Sequence, residues 1–313
     1  MRAPSEGSRR TERHETQPFH GRRILITGGA TGTGFEAAQA LHRLGAEVVI
    51  GTRSEGNFAR AAEKLGTERV SPFIADLTNS AQVKNVVARM HDQGVGPTDV
   101  IFSAAGGMEP FMPQLMRGLV TVKRTEIGEE RDSALARLQP QIDQWVEETR
   151  EGSKTINFDG QVNLLDQLRG RGTEVKAIDY SSIWSSTLAG VPRFYRGIAK
   201  SKHLFEEWME EHAAELVADG VYPAIVSGHV ISDSNVGKVT ERFILPLFPP
   251  DEQEAMLKTF IRMNDMVRAT EDVLKSDPKQ WTSVPKRLFV VNGGEMRTHL
   301  SPDDPIFSHR IPV

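Results

Sequence analysis

The segment Thr27-Gly28-Gly29-Ala30-Thr31-Gly32-Thr33-Gly34 combines small hydroxyl residues with glycines at 28, 32 and 34. Glycine at those places lets a backbone turn tightly and approach a pyrophosphate. A helix starting there aims its free N–H groups and positive dipole end at the phosphates. The apolar run Ile24-Leu25-Ile26 ends just before the loop, and a helical pattern follows it. The loop therefore sits at a strand–helix junction, where a lone glycine motif gains meaning. The next apolar run ends in Ile50-Gly51-Thr52-Arg53-Ser54, without a carboxylate. An acid there would bond the adenosine ribose of NAD, whereas the planar fork of Arg53 suits a 2′-phosphate. The cofactor expected is NADPH. The nine histidines show no metal-ligand spacing and there is no cysteine, so neither a metal site nor a thiolate nucleophile is expected.

Such residues need strand ends to hold them. After the helix carrying Phe35, Ala38, Leu41 and Leu44 come the strand Val48-Val49-Ile50, a helix over 55–65, the strand Phe73-Ile74-Ala75, a helix over 80–92 and the strand Val100-Ile101-Phe102. A helix ending near Leu168, the strand Val175–Ile178, a helix over 195–218, and the strands Ala224–Val226 and Leu288–Val291 continue the alternation. Fully apolar strands alternating with helices predict an α/β fold: a doubly wound parallel sheet of about seven strands with helices on both faces and its ligand at the strands' carboxyl ends. Two stretches exceed such a core. Residues 107–153 are methionine-rich and include a helix over 132–149 interrupted or kinked at Pro140. Residues 229–286 contain the apolar patch 243–248 and a helix over 251–275. Each reads equally as a lid or pocket wall and as an oligomer interface or extra core.

The formal charge of −4 argues against a nucleic-acid partner or an anionic membrane surface. No stretch approaches the roughly 18 consecutive apolar residues of a membrane helix. The first 20 residues have no apolar signal-peptide core, and their arginines are interleaved with Glu6, Glu12 and Glu15. They read as a disordered tail before a single domain over 21–313, and a cytoplasmic location is expected.

Thr-Gly-x-x-x-Gly-x-Gly resembles the fingerprint of the short-chain dehydrogenase/reductases, and the resemblance runs from Arg22 to Glu295. It implies a Rossmann-type fold and a homodimer or homotetramer. By the same resemblance Thr27, Gly28, Thr31, Gly32, Thr33 and Gly34 hold the pyrophosphate, and Asp76 positions the adenine. Ser103-Ala104-Ala105-Gly106 stands for the family's Asn-Asn-Ala-Gly, keeping Ala105 and Gly106 beside the cofactor. Gly228, Val230 and Ser232, in Ser227–Ser232, resemble the segment that holds the nicotinamide carboxamide. Val291-Asn292-Gly293-Gly294 resembles the end of the last strand.

The resemblance also implies four chemical roles. Tyr195 would protonate the developing alkoxide, Ser182 polarise the carbonyl, Lys202 favour the phenolate and hold the ribose, and Asn157 support a water relay. An unassisted phenol, with its pKa near 10, is a sluggish proton donor at neutral pH. Ser182 and Tyr195 have the family's spacing, but the lysine departs from it: the position four after Tyr195 is Ala199. On a regular helix Lys202 falls about 20° from Tyr195 and Lys200 about 140°, which selects Lys202. A Tyr-x6-Lys spacing resembles enoyl-thioester reductases, whose tyrosine stabilises an enolate, although Ser185 stands where that branch often has a second tyrosine. Alternatively Ser201-Lys202 is the family's Ser-Lys pair; Ile198 then takes the tyrosine position and the proton donor is missing. The expected function is NADPH-dependent reduction of a ketone in a small apolar substrate, polyketide-like or an acyl thioester. C=C reduction and a catalytically silent nucleotide-binding protein are the alternatives. Trp184 and Phe194 read as pocket or core, and His229 as a packing residue beside the nicotinamide.

Overall fold

A computed structural model describes residues 17–103, 105–126 and 128–307. Eight strands form one sheet in the order β3-β2-β1-β4-β5-β6-β7-β8, parallel except for the last. They are β1 (Arg23–Thr27), β2 (Glu47–Thr52), β3 (Val70–Ile74), β4 (Asp99–Phe102), β5 (Val175–Ser182), β6 (Val221–Gly228), β7 (Lys286–Val291) and β8 (Glu295–Arg297). The order reverses between β1 and β4, and the crevice at that switch point lies above their carboxyl ends.

Alternate side chains on each strand enter different cores. Ile24, Ile26, Val48, Ile50 and Ile101 pack with α1 (Gly32–Arg43) on one face; Leu25, Val49, Val100 and Phe102 pack with α3 (Ser80–Asp92) on the other. Burial on both faces is why these strands read as unbroken apolar runs. Between α1 and α3 lies α2 (Glu55–Leu65), over the predicted residues.

The two insertions build a third apolar cluster. Within the first, α4 (Met112–Arg124) packs on α5 (Glu129–Glu148). Of the interruption or kink expected at Pro140, the interruption does not occur. Leu138 and Ile142, on either side of it, are buried, and that packing carries the helix across one missing N–H. A short α6 (Arg150–Lys154), a π turn (Thr155–Asp159) and α7 (Gly160–Leu168) lead to β5. After β5 come α8 (Ile183–Thr187), a 3₁₀ turn (Arg193–Tyr195), α9 (Arg196–Glu211) and α10 (Ala213–Ala218), so the helix expected over 195–218 is three pieces.

The second insertion holds α11 (Asn235–Val239), α12 (Pro250–Thr259) and α13 (Met263–Lys275). The single helix expected over 251–275 is broken because Ile261 pairs with the chain beyond β6: its N–H bonds Val230 O at 3.0 Å, and its carbonyl accepts from Ser232 N at 2.9 Å. Two further expectations change. The eighth strand follows a turn in which Asn292, Gly293 and Gly294 all have positive φ, the conformation that Asn-Gly sequences favour between antiparallel strands. Residues 17–20, expected to lie in a tail over 1–20, belong to the fold instead: Phe19 is fully buried in the first core and its N–H bonds Leu44 O at 3.1 Å. Residues 1–16 lie outside the described residues.

Candidate active site

A cavity of about 1240 Å³ follows the carboxyl ends of β1 to β6. Its floor at one side is the glycine loop: Gly28 and Gly32 have φ of +65° and +57°, where a β-carbon is strained. Gly34 is required for a different reason. A β-carbon on it would sit 2.5 Å from Gly28 O, so only glycine lets α1 approach β1 this closely. Thr27, Thr31 and Thr33 line the cavity beside these glycines.

Arg53 stands on the rim beyond β2, exposed, and no hydrogen bond or ion pair holds it among the described residues. Asp76 lines the same end, with Oδ1 accepting from Thr78 N at 3.0 Å and Thr78 Oγ1 at 2.8 Å. Ser103 bonds Thr27 Oγ1 through its N–H at 3.0 Å, which ties β4 to the glycine loop; its hydroxyl is buried without a partner among the described residues. Ala105 and Gly106 line the cavity, and Ala104 lies outside the described residues.

Asn157 does not line the cavity. Its amide is spent beneath the wall, accepting from Gly106 N at 2.9 Å, donating to Gly106 O at 3.0 Å and donating to Ser201 Oγ at 2.9 Å. The π turn turns this residue inward, so it fixes the loop after β4 to α9. Ser232 also departs from expectation: its N–H and hydroxyl both bond Ile261 O, the hydroxyl at 3.1 Å, away from the cavity. Gly228, His229 and Val230 do line it.

Ser182, Tyr195 and Lys202 share one wall. Ser182 ends β5 and bonds Ser185 Oγ at 2.9 Å, and its hydroxyl lowers the pKa of the nearby Tyr195 phenol. Tyr195 closes the 3₁₀ turn just before α9, so the helical-wheel reason for pairing it with Lys202 does not apply. Both still line the cavity, Tyr195 from a turn packed against Trp184, whose ring centroid is 5.6 Å from that of Tyr195. Lys202, buried on α9, donates to Tyr180 O at 2.7 Å. Ile198 also lines the cavity, so both positions weighed for the tyrosine face it. Phe194 is core.

Two carboxylates missed in the sequence lie under this wall. Asp179, fully buried on β5, has Oδ1 3.6 Å from Lys202 Nζ and Oδ2 without a partner among the described residues. Burial pushes it up to about 6, only partly offset by Lys202. Glu206, one turn beyond Lys202 on α9 and fully buried, accepts from Ser181, from Ser186 Oγ at 2.9 Å and from Arg287 at 2.7 Å. The Tyr195 phenol is held above its usual value. Burial raises it most, Lys202 and Ser182 lower it, and the charges of Asp179 and Glu206 raise it again. Glu206 follows Lys202 at helical i+4 spacing, the one signal by which the sequence could have pointed to it; Asp179, inside a strand, gave none.

Among the described residues no group of His, Cys, Asp and Glu is suited to a metal ion, and no helix is long and apolar enough to cross a membrane.

Residues 22–121 match the family model for short chain dehydrogenase. That stretch contains the glycine loop, Arg53, Asp76 and Gly106, and stops before Asn157, Ser182, Tyr195 and Lys202. Short-chain dehydrogenase reductase 3b of Arabidopsis thaliana is 35% identical over 105 residues, 34% of this chain and 40% of that protein. A 3-ketodihydrosphingosine reductase of Aspergillus fumigatus is 36% identical over 102 residues, 30% of this chain and 28% of that protein. The chain thus spans less than half the length of these curated relatives. Solved structures are similar over more of it. A short chain dehydrogenase from Burkholderia cenocepacia in complex with NADP has a TM-score of 0.54 at 20% identity, covering 82% of this chain and 86% of that one. The 3-ketoacyl-(acyl-carrier-protein) reductase from Brucella melitensis, complexed with NADH, has a TM-score of 0.60 at 16% identity, covering 88% and 98%. At such identities the likeness is one of fold.

Proposed function

We propose that this chain, a member of the short-chain dehydrogenase/reductase superfamily, is an NADPH-dependent reductase of a carbonyl group in a small apolar substrate. One observation carries the reading: Ser182, Tyr195 and Lys202 stand on a wall of the same cavity that the glycine loop and Arg53 enter from the other end. The residues present fit the cofactor. Gly28 and Gly32, both at positive φ, line the cavity without side chains, Arg53 has no carboxylate partner among the described residues, and the cavity exceeds the usual range of about 300–1,000 Å³ for small-ligand pockets.

NADPH, when bound, supplies the hydride. The glycine loop holds its pyrophosphate, Arg53 its 2′-phosphate, Asp76 and Gly106 flank its adenosine half, and Lys202, Gly228 and Val230 its nicotinamide half. Tyr195 Oη gives its proton to the substrate oxygen as the carbonyl becomes an alkoxide. Ser182 Oγ orients that oxygen, and the Lys202 ammonium offsets the charge left on the phenolate. That Ser182 and Tyr195 both line the cavity favours a carbonyl over an enoyl thioester, because two hydroxyls can then donate to one oxygen.

Titrating NADPH and NADH separately into the wild type and Arg53→Ala tests the cofactor. A charged hydrogen bond of about 1.5–3 kcal/mol predicts a loss of about 10- to 100-fold for NADPH and none for NADH. Binding of neither nucleotide by the wild type would reject the reductase. Turnover of a ketone against its α,β-unsaturated thioester counterpart then decides which bond is reduced.

A further inference from the structure

His229 lies on the cavity wall, and the proposed reaction has no use for it. Its tautomer can be worked out from its neighbours. Thr259 Oγ1 is 2.7 Å from Met256 O, and a carbonyl only accepts, so the single hydroxyl hydrogen points there. The same Oγ1 is 3.2 Å from His229 Nδ1 and has only a lone pair to offer. Nδ1 therefore carries the ring hydrogen. Burial among Trp184 and Phe260, whose ring centroids lie 5.3 and 6.1 Å away, pushes the imidazole down to about 3, and no nearby charge counters it. The ring is neutral, and Nε2 bears a lone pair with no partner among the described residues. Trp184 packs against Tyr195 as well as His229, so the three rings form one stretch of the cavity wall.

We propose that His229 Nε2 is a fixed hydrogen-bond acceptor that selects a ligand carrying an N–H or O–H donor at the substrate end of the cavity. The inference rests on the reductase reading and adds a specificity-determining residue to it. The donor has two possible sources: the carboxamide N–H of the nicotinamide, or a hydroxyl of the substrate. An acceptor with no hydrogen of its own disfavours a ligand that offers only lone pairs, since two lone pairs would face each other without a hydrogen between them.

His229→Phe keeps a ring of similar size and removes the acceptor, while His229→Gln restores one. Binding of NADPH and of its acetylpyridine analogue, which has a methyl in place of the amide nitrogen, reads the first source. Reduction of para-hydroxyacetophenone relative to para-methoxyacetophenone reads the second. If the donor is the cofactor's, His229→Phe weakens NADPH about fivefold, leaves the analogue unchanged, and His229→Gln recovers part of the loss. If it is the substrate's, cofactor binding is unchanged and the hydroxyl preference falls about fivefold. A His229→Phe variant that matches the wild type in both comparisons overturns the proposal. Nitrogen-15 spectra of histidine-labelled protein, assigned by difference against His229→Phe, give a readout independent of turnover: Nε2 is expected unprotonated from about pH 5 to about pH 8. A protonated Nε2 would overturn this inference alone. Failure of the wild type to bind NADPH would overturn the reductase reading and, with it, this selection.

Discussion

At the residue scale the site departs from a simple phenol–ammonium pair. The Tyr195 hydroxyl has an ammonium and a serine to lower its pKa, yet burial and two carboxylates beneath the wall outweigh them. Tyr195 is therefore protonated at neutral pH, which suits a donor that must hold its proton until hydride arrives. Tyr195→Phe is expected to lower turnover by about 10²- to 10⁴-fold while NADPH affinity stays within about twofold. Stopped-flow turnover alongside a fluorescence titration separates the two effects. Unchanged turnover would remove the phenol from the chemistry and return the proton-donor question to the alignment that puts Ile198 in that position.

At the element scale the first insertion is fastened by one buried cation. Arg131, on α5, donates to Thr125 O at 2.9 Å and Lys123 O at 3.4 Å, closing the turn after α4, and to Pro246 O at 3.1 Å in the second insertion. Three carbonyls from two insertions thus share one guanidinium. Arg131→Met fills similar space but strands those acceptors, and about 1–3 kcal/mol should be lost in urea unfolding. Limited proteolysis should cut faster within 107–153, while NADPH affinity holds, because no glycine-loop residue takes part. Equal proteolysis of variant and wild type would mean that the apolar contacts of Leu115, Leu119 and Leu138 suffice without the clasp.

At the scale of the whole molecule, Asp179 links the site to folding. Its carboxyl has a pKa of about 6 in the folded protein, against an ordinary 3.8. Between those values the folded chain keeps a proton that the unfolded chain has released. Its contribution to stability therefore falls as pH rises from about 4 to about 6, the reverse of an aspartate whose pairing outweighs its burial. Asp179→Asn should flatten that part of the profile. Unfolding free energies of both proteins at the two ends of the window test it, and identical slopes would show that another group carries the dependence. The same three-layer architecture explains what was readable in advance. Strands buried on both faces appear as apolar runs because each successive side chain meets a different core. The Asn-Gly turn before β8 was equally open to reading, but strand β8 is three residues long and presents no periodic pattern.

The sequence alone determined the alternation of the first seven strands with helices, the glycine loop and the residues Ser182, Tyr195 and Lys202, since these depend on local backbone freedom, periodic burial and residue type. It did not determine which side chains meet. Asn157 faces the loop after β4 because a π turn shifts its direction, and Ser232 turns away because Ile261 pairs beside it. Tyr195 reaches Ser182 from outside the helix, by way of a turn packed on Trp184. Asp179 and Glu206 are buried charges among apolar neighbours, and only the tertiary structure supplies the lysine, serines and arginine that make such burial tolerable. Desolvation and pairing depend on groups far apart in the chain, and so the fold, not the local sequence, sets the electrostatics of the site.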